Sequence, residues 1–307
     1  MKVAILGVAH VHVHAYLYHL GSNLYGIFDH DPKAGQVLAE KHNVPFFAEA
    51  TTLIRGADAA AICSETIHHE ELIRLCVEAS IPILCEKPIA LDRATGERIR
   101  QMVKDHPFMA ALPCRFSPMW SRIQQRIAAG EIGEILSITA TNHGKCPGGW
   151  FMDKDLGGGT ILDHSVHCAD VINQLGLGEP VQARAHANNM FQGKSVEDAA
   201  MTTYDFTGGQ FVTLDSSWSR PPAYPVWGDL TLNIVGDKGV IEADLYAQSI
   251  GLTQESGRGM GYSSNLERAL TEDFLSGPPY KTTLEDGLKA DAWAWLALES
   301  LTASSND

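Results

Sequence analysis

Five short apolar runs punctuate the first 112 residues, with helical segments between them: Val3 to Leu6, Leu24 to Phe28, Ala59 to Cys63, Ile83 to Cys85 and Phe108 to Leu112. Strands buried on both faces read as continuous apolar runs, so these five belong in the middle of a layered sheet. Asp31-Pro32 opens a helix, with the aspartate at the N-cap and the proline at the first helical position. His69 to Ala79 places Leu72, Leu75, Cys76 and Ala79 on one side of another helix, and Asp92 caps a third that runs to about Lys104. Strands separated by helices predict a parallel, doubly wound sheet.

The pattern changes near Pro118. A helix with Ile123 and Ile127 inward ends at Gly130, and β-rich segments follow: Leu136 to His143, Val181 to Asn188, Ala200 to Phe206, Phe211 to Trp218, Leu230 to Val235 and Val240 to Ala243. Gly208-Gly209 and Gly236-Asp237-Lys238-Gly239 suit tight turns, so this second sheet is mostly antiparallel. Leu284 to Leu301 reads as a closing helix. The chain is thus an α/β protein of two domains, residues 1–117 and 118–307.

The 307 residues carry 23 basic and 37 acidic side chains, a formal net charge of -14. That balance disfavours nucleic acid and anionic membranes as partners. No apolar run approaches the roughly 18 residues of a membrane span, and Met1 to Gly7 lacks the make-up of a signal peptide. The six cysteines show no C-x-x-C spacing and read as reduced, buried small hydrophobes. A cytoplasmic location is expected.

Gly7-Val8-Ala9-His10-Val11-His12 sits where the first strand meets a helix. A dinucleotide fingerprint there would be G-x-G-x-x-G; Ala9 and His12 replace its second and third glycines. Asp29 lies 22 residues beyond Gly7 at the end of the second run, where an acid accepts hydrogen bonds from the ribose hydroxyls of NAD and repels the extra phosphate of NADP. His10, His12 and His14 also permit a metal site of the H-x-H kind, ranked below dinucleotide binding. In a helix, His10 and His14 would share a face and His12 would point away.

Glu86-Lys87-Pro88 closes the fourth run. A lysine at the carboxyl edge of a parallel sheet faces a cleft where ligands bind. Seventy residues after Lys87 comes Gly157-Gly158-Gly159, then Asp163, His167 and Asp170 at i, i+4 and i+7. The glycines can let a ligand approach the backbone, and Asp163 could orient His167 for proton transfer. The plain alternative is a solvated helix face. Trp150 offers a flat surface to a sugar ring, or a core side chain.

These residues, together with Ser64 through His69, Arg115-Phe116-x-Pro118 and Gly130-Glu131-Ile132-Gly133-Glu134-Ile135, occur in the order seen in the Gfo/Idh/MocA family, which the chain resembles over nearly its whole length. The resemblance implies an N-terminal Rossmann dinucleotide-binding domain and a C-terminal α/β domain with a large, mostly antiparallel open sheet, whose exposed face makes a homodimer or homotetramer. It implies a nicotinamide cofactor, which Asp29 makes NAD rather than NADP, and a sugar, sugar-acid, cyclitol or polyol substrate. Lys87, Asp163 and His167 match the family's catalytic set and, with Trp150, would meet the substrate. Gly7, Ala9, His10, Asp29, Ser64, His69, Glu86, Lys87 and Arg115 would hold the cofactor. Glu65 stands where the family usually has proline.

The reaction expected is hydride transfer between nicotinamide and a carbinol carbon. His167 would take the hydroxyl proton, Asp163 would hold its ring, and Lys87 would stabilise charge on the reacting oxygen. Three alternatives share the same residues: non-redox glycoside cleavage through transient oxidation, a dinucleotide and sugar sensor without turnover, and a metal-dependent hydrolase built on His10 and His12.

Overall fold

A computed structural model describes residues 1–246, 249–254, 257–262 and 265–304. The N-terminal layer alternates β1 (Val3–Leu6), α1 (Val13–Leu20), β2 (Leu24–Phe28), α2 (Pro32–His42), α3 (Ala50–Arg55), β3 (Ala59–Ile62), α4 (His69–Glu78), β4 (Ile83–Cys85), α5 (Arg93–Val103) and β5 (Phe108–Ala110). All five strands are parallel, in the order β2-β1-β3-β4-β5. Alternate residues feed different cores: Ala4, Leu6 and Ile62 pack on one side, Val3, Ile5 and Ala61 on the other. Apolar cover on both faces explains why the runs are unbroken. Asp31 caps α2 at the Lys33 amide and Asp92 caps α5 at the Thr95 amide. Strand order reverses direction between β1 and β3, which opens a crevice at the carboxyl ends of the strands.

The second layer begins with α6 (Pro118–Ala128) and β6 (Ile135–Lys145). It continues through α7 (Thr160–Asn173), β7 (Pro180–Asn188), β8 (Ala199–Phe206), β9 (Phe211–Arg220), β10 (Thr231–Gly236) and β11 (Val240–Asp244). Its six strands lie in the order β11-β10-β6-β9-β8-β7, with β6 and β9 parallel and the other pairs antiparallel. One face is covered; Ile138, Ala140, Val212 and Leu214 belong to the main core. The other face carries Thr139, Thr141, Thr213 and Thr231, whose hydroxyls pair across strands, with Met201, Phe211 and Val240 exposed.

A hairpin of β12 (Ser249–Gln254) and β13 (Gly257–Tyr262) leads to α8 (Leu266–Ser276) and α9 (Leu284–Ser304). Helix α8 returns to the first layer, and α9 packs mainly on α7 and β7 while also reaching α5 and β5. Leu270 and Phe274 of α8 join the core with Val13 and Leu17 of α1. On α9, Asp291 Oδ2 accepts from the amides of Ile89 (2.8 Å) and Ala90 (3.0 Å), which fixes the chain just after β4.

Two expectations, and the plain alternative of a solvated helix face, differ from the structure. The helix after Gly7 starts only at Val13, so His10 and His12 turn toward the same carboxylate and His14 faces solvent. The helix carrying Asp163, His167 and Asp170 has no solvated face: every residue from Thr160 to Ile172 is buried. The triple glycine is packed by its own chain. A Cβ at Gly158 would stand 2.2 Å from the Phe151 carbonyl oxygen, and one at Gly159 2.4 Å from Glu197 Oε1.

Candidate active site

β4 delivers Glu86 and Lys87 to the carboxyl edge of the sheet, and the Lys87–Pro88 peptide is cis. Lys87 is only 3% exposed; its Nζ donates to Asp163 Oδ1 at 2.6 Å and to the Asp163 carbonyl oxygen at 3.0 Å. An ammonium so deeply buried needs this partner. Asp163 Oδ2 accepts from Trp218 Nε1 at 3.1 Å and lies 3.3 Å from His164 Nε2. Burial alone would raise the Asp163 carboxyl, but the charge of Lys87, then His164 and the lysine hydrogen bond, hold it well below the usual carboxylate range.

Asp163 therefore serves Lys87, not the ring of His167. The expected Asp163–His167 pairing is corrected: His167 Nδ1 is buried and has no hydrogen-bond partner. Burial, with the positive charges of Lys87 and His12, pushes the His167 imidazole well below its ordinary value, so it is neutral with a free lone pair. Lys87, Asp163 and His167 nevertheless line one cavity of about 970 Å³, with His12, Asn142 and His164, and Trp227, Glu267 and Arg268 at its rim. That volume is at the upper end for small-molecule sites.

Asp29 borders a second cavity of about 410 Å³, beside His30 and Glu71. Its carboxylate accepts from the amides of Val8 and Asp31, each at 2.6 Å, which ties β2 to the turn after Gly7. One lone pair on each oxygen remains for a ligand. Gly7 has φ +89°, and a Cβ there would fall 2.4 Å from Ser64 Cα. Only glycine lets β1 turn this tightly against the chain leaving β3. A tight glycine turn, an acid ending β2 and two cavities along the strand ends fit a dinucleotide lying across the sheet edge.

Other expected cofactor contacts are braces inside the protein. His69, buried, spans the carbonyl oxygens of Ile89 (3.3 Å) and Ser64 (3.4 Å), and burial lowers it to about 4, so its neutral ring donates to one of them. Ser64 is fully buried and its hydroxyl donates to the Glu65 carbonyl oxygen. Arg115 lines neither cavity; it bridges Asp170 (2.6 Å) and Asp286 (2.8 Å), locking α7 to the start of α9. Two carboxylates hold its Nε and Nη2, which favours a bracing role over the expected cofactor contact. Trp150 likewise lines neither cavity: it stacks on Phe151 and donates Nε1 to the Ala9 carbonyl oxygen at 3.0 Å, bracing the turn after β1.

His10 is buried beneath that turn, with its Nδ1 3.5 Å from Glu86 Oε2. Burial brings it down to about 3. Among the described residues His10, His12 and Glu86 form a compact group whose ligand-type atoms lie within 4.8 Å of one another, and the Tyr16 hydroxyl also donates to Glu86. The residues of the H-x-H reading thus meet in space around Glu86, which takes hydrogen bonds from His12 and Tyr16, while the buried His10 Nε2 has no hydrogen-bond partner.

Sequence reasoning passed over Tyr16, Asn142, His164 and Trp218. Trp218 and His164 complete the shell of Asp163, and the His164 Nδ1 lies 2.8 Å from the Asn142 carbonyl oxygen. His164 adjoins Asp163 and was within reach of a local reading. Trp218 comes from a strand 55 residues away, and no spacing rule points to it.

Residues 1–111 match the family model described as an oxidoreductase family with an NAD-binding Rossmann fold, and residues 120–242 match the GFO/IDH/MocA C-terminal domain. The chain is similar to the myo-inositol dehydrogenase Hyg17 of Streptomyces leeuwenhoekii, at 28% identity over 99% of this chain and 98% of that protein. It is similar also to myo-inositol 2-dehydrogenase of Thermotoga maritima, at 27% identity over 80% of this chain and 78% of the other. In fold it matches the crystal structure of GenD2 from gentamicin A biosynthesis in complex with NAD, with a TM-score of 0.84 and 17% identity over 98% and 94% of the two chains. With both halves matched in order, a Rossmann layer feeding a lysine–aspartate pair into one cavity, the chain belongs to the GFO/IDH/MocA family of NAD-binding oxidoreductases.

Proposed function

We propose that this dehydrogenase, with NAD as cofactor, oxidises a secondary hydroxyl of a cyclitol, sugar or related polyol, reversibly. The observation that carries this reading is the convergence of Lys87, Asp163 and His167 on one cavity at the strand ends, in a chain whose full-length relatives include myo-inositol dehydrogenases. NAD, when bound, would supply the hydride acceptor. Lys87 has three N–H donors, two of them spent on Asp163, which leaves the third to hydrogen-bond the reacting oxygen and stabilise charge as it develops. Asp163 holds that ammonium in place. Neutral His167 accepts the hydroxyl proton.

The test is NADH formation with myo-inositol and a panel of sugars, sugar acids and acyclic polyols. Turnover on a cyclitol or sugar supports the reading; NADH binding with no turnover on any of them returns the sensor reading.

Asp29 makes NAD the preferred dinucleotide. A carboxylate at the end of β2, bordering the second cavity, would repel the 2′-phosphate of NADP, and removing a close like-charge contact is worth roughly 1 kcal/mol or more. Asp29→Ser should tighten NADPH binding about tenfold and weaken NADH binding, both read by nicotinamide fluorescence. An unchanged NADPH affinity would take Asp29 out of cofactor choice.

The open face of the C-terminal sheet, with Met201, Phe211 and Val240 exposed, is the surface through which two copies would associate as a homodimer or homotetramer. Sedimentation of the wild type and of Phe211→Glu tests this; equal masses for both would exclude that face. Among the described residues no helix is long and apolar enough to cross a membrane. A cytoplasmic place agrees with five buried free cysteines.

A further inference from the structure

His12 stands where the dinucleotide fingerprint has its third glycine, and its side chain is positioned rather than merely tolerated. Its Nδ1 lies 3.2 Å from Glu86 Oε1. Glu86 is fully buried, and Tyr16, one turn along α1, donates its hydroxyl to the same oxygen. Glu86 Oε2 accepts from the Lys87 amide at 3.3 Å. The carboxylate is thus fixed from several sides and in turn fixes the imidazole. With Nδ1–H donated to Glu86, the neutral ring keeps its Nε2 lone pair. His12 is a quarter exposed and lines the same cavity as Lys87 and His167.

His167 has no such support. It can take a proton from a substrate hydroxyl, but burial and the neighbouring ammonium of Lys87 disfavour keeping it. A carboxylate-held imidazole in the same cavity is the natural recipient.

We propose that His12, oriented by Glu86, is the second proton acceptor of the oxidation: the substrate's hydroxyl proton goes first to His167 and then to His12 Nε2, and leaves from there to solvent. In this sequence the O–H bond breaks and its electron pair becomes the second bond of the new carbonyl. The C–H pair departs as hydride to NAD, and His167 returns to its neutral form. Reduction runs the same steps backwards. The proposal rests on the dehydrogenase reading above.

The charged and titratable groups around His12 are Glu86 after β4, Lys87 beside it, Glu267 on α8, His167 on α7, and His10 and Tyr16 nearby in its own segment. Burial lowers the His12 imidazole, but the charge and hydrogen bond of Glu86 outweigh it, and the net direction is upward from about 6.5. His12 must be neutral to accept, so kcat/KM for oxidation should rise as pH climbs through a value above 6.5 and level off beyond it.

The deciding experiment is ring-proton NMR of the NAD-saturated protein across pH, with His12→Gln identifying the signal. His12 is expected to titrate above 6.5, to fall below it in Glu86→Gln, and to move further up in Tyr16→Phe, where Glu86 loses a competing donor. This readout needs no substrate, so it stands apart from the choice of polyol. With a turned-over polyol, His12→Gln should lose about 10²-fold in kcat. It should also lose the acid limb of the pH profile, keep NADH affinity, and recover part of its turnover with added imidazole. A His12 signal titrating below 6.5 in the wild type, or a His12→Gln enzyme with the wild-type pH profile and turnover, would overturn the proposal.

Discussion

Lys87→Met should lower kcat by about 10²–10³-fold while leaving NADH affinity within a few-fold of wild type. The lysine supplies the one N–H donor of its ammonium that Asp163 does not consume, and a developing oxyanion depends on such a preorganised donor. The substitution has a second consequence that must be kept separate. It leaves Asp163 buried and charged with only Trp218 and His164 beside it, and orphaning one partner of a buried pair costs about 3–5 kcal/mol. Lys87→Met/Asp163→Asn removes that burden. The double variant should melt close to wild type yet stay as inactive as the single one. Recovery of turnover in the double variant would show that the lysine acts through stability alone. Measurements of kcat, NADH fluorescence and thermal melting on the three proteins decide the matter.

Arg115→Met should destabilise the fold by about 3–5 kcal/mol without touching the chemistry. Asp170 lies fully buried on α7, and its carboxylate meets Arg115 Nε at 2.8 Å; the same guanidinium reaches Asp286 at the start of α9. Burial already pushes the Asp170 carboxyl up to about 7, so removing Arg115 drives it to protonate or leaves it unpaired in the core, and cuts the link between α7 and α9. For a chain of this size, each kcal/mol is worth about 2–4 °C, so a fall in Tm of roughly 10 °C is expected. Lysine at this position should rescue only part of the loss, since it lacks the planar fork that serves two carboxylates together. Folded enzyme at low temperature should bind NADH normally. A selective loss of NADH affinity, with Tm unchanged, would restore the cofactor role that the motif alone suggests.

Arg115 also shows where sequence reading stops. Its motif marks the residue, but its partners come from 55 and 171 positions away, and the choice between cofactor and carboxylate is made only by packing. The parallel sheet, by contrast, is legible because its strands are buried on both faces and so appear as unbroken apolar runs, each with a capped helix behind it. Lys87, Asp163 and His167 are legible as a set because a lysine at a strand end and polar residues at helical spacing are costly unless they face something. Their pairing is not legible. Spacing puts Asp163 one turn from His167, whereas the ammonium of Lys87 takes the carboxylate because a buried cation gains more from it than a neutral ring does. Helix α8 escapes notice because its buried stripe is short: Leu270 and Phe274 pack on α1 from the far end of the chain, and Leu266 lines the cavity. His12 is the reverse case. It reads as a defect in the glycine fingerprint, and only the arrival of Glu86 from β4 and Tyr16 from α1 shows what the side chain is held for.

The most direct measurement follows the hydrogen itself. Purified enzyme is incubated with NAD and myo-inositol deuterated at its carbinol carbons, with a deuterated sugar and polyol panel alongside, and the cofactor and products are analysed by mass spectrometry. One deuterium in NADH for each carbonyl formed, lost together with product in Lys87→Met, is the expected result. Product formed with no deuterium retained in the cofactor and no net NADH would contradict net dehydrogenation and place the chemistry with transient, non-redox bond cleavage.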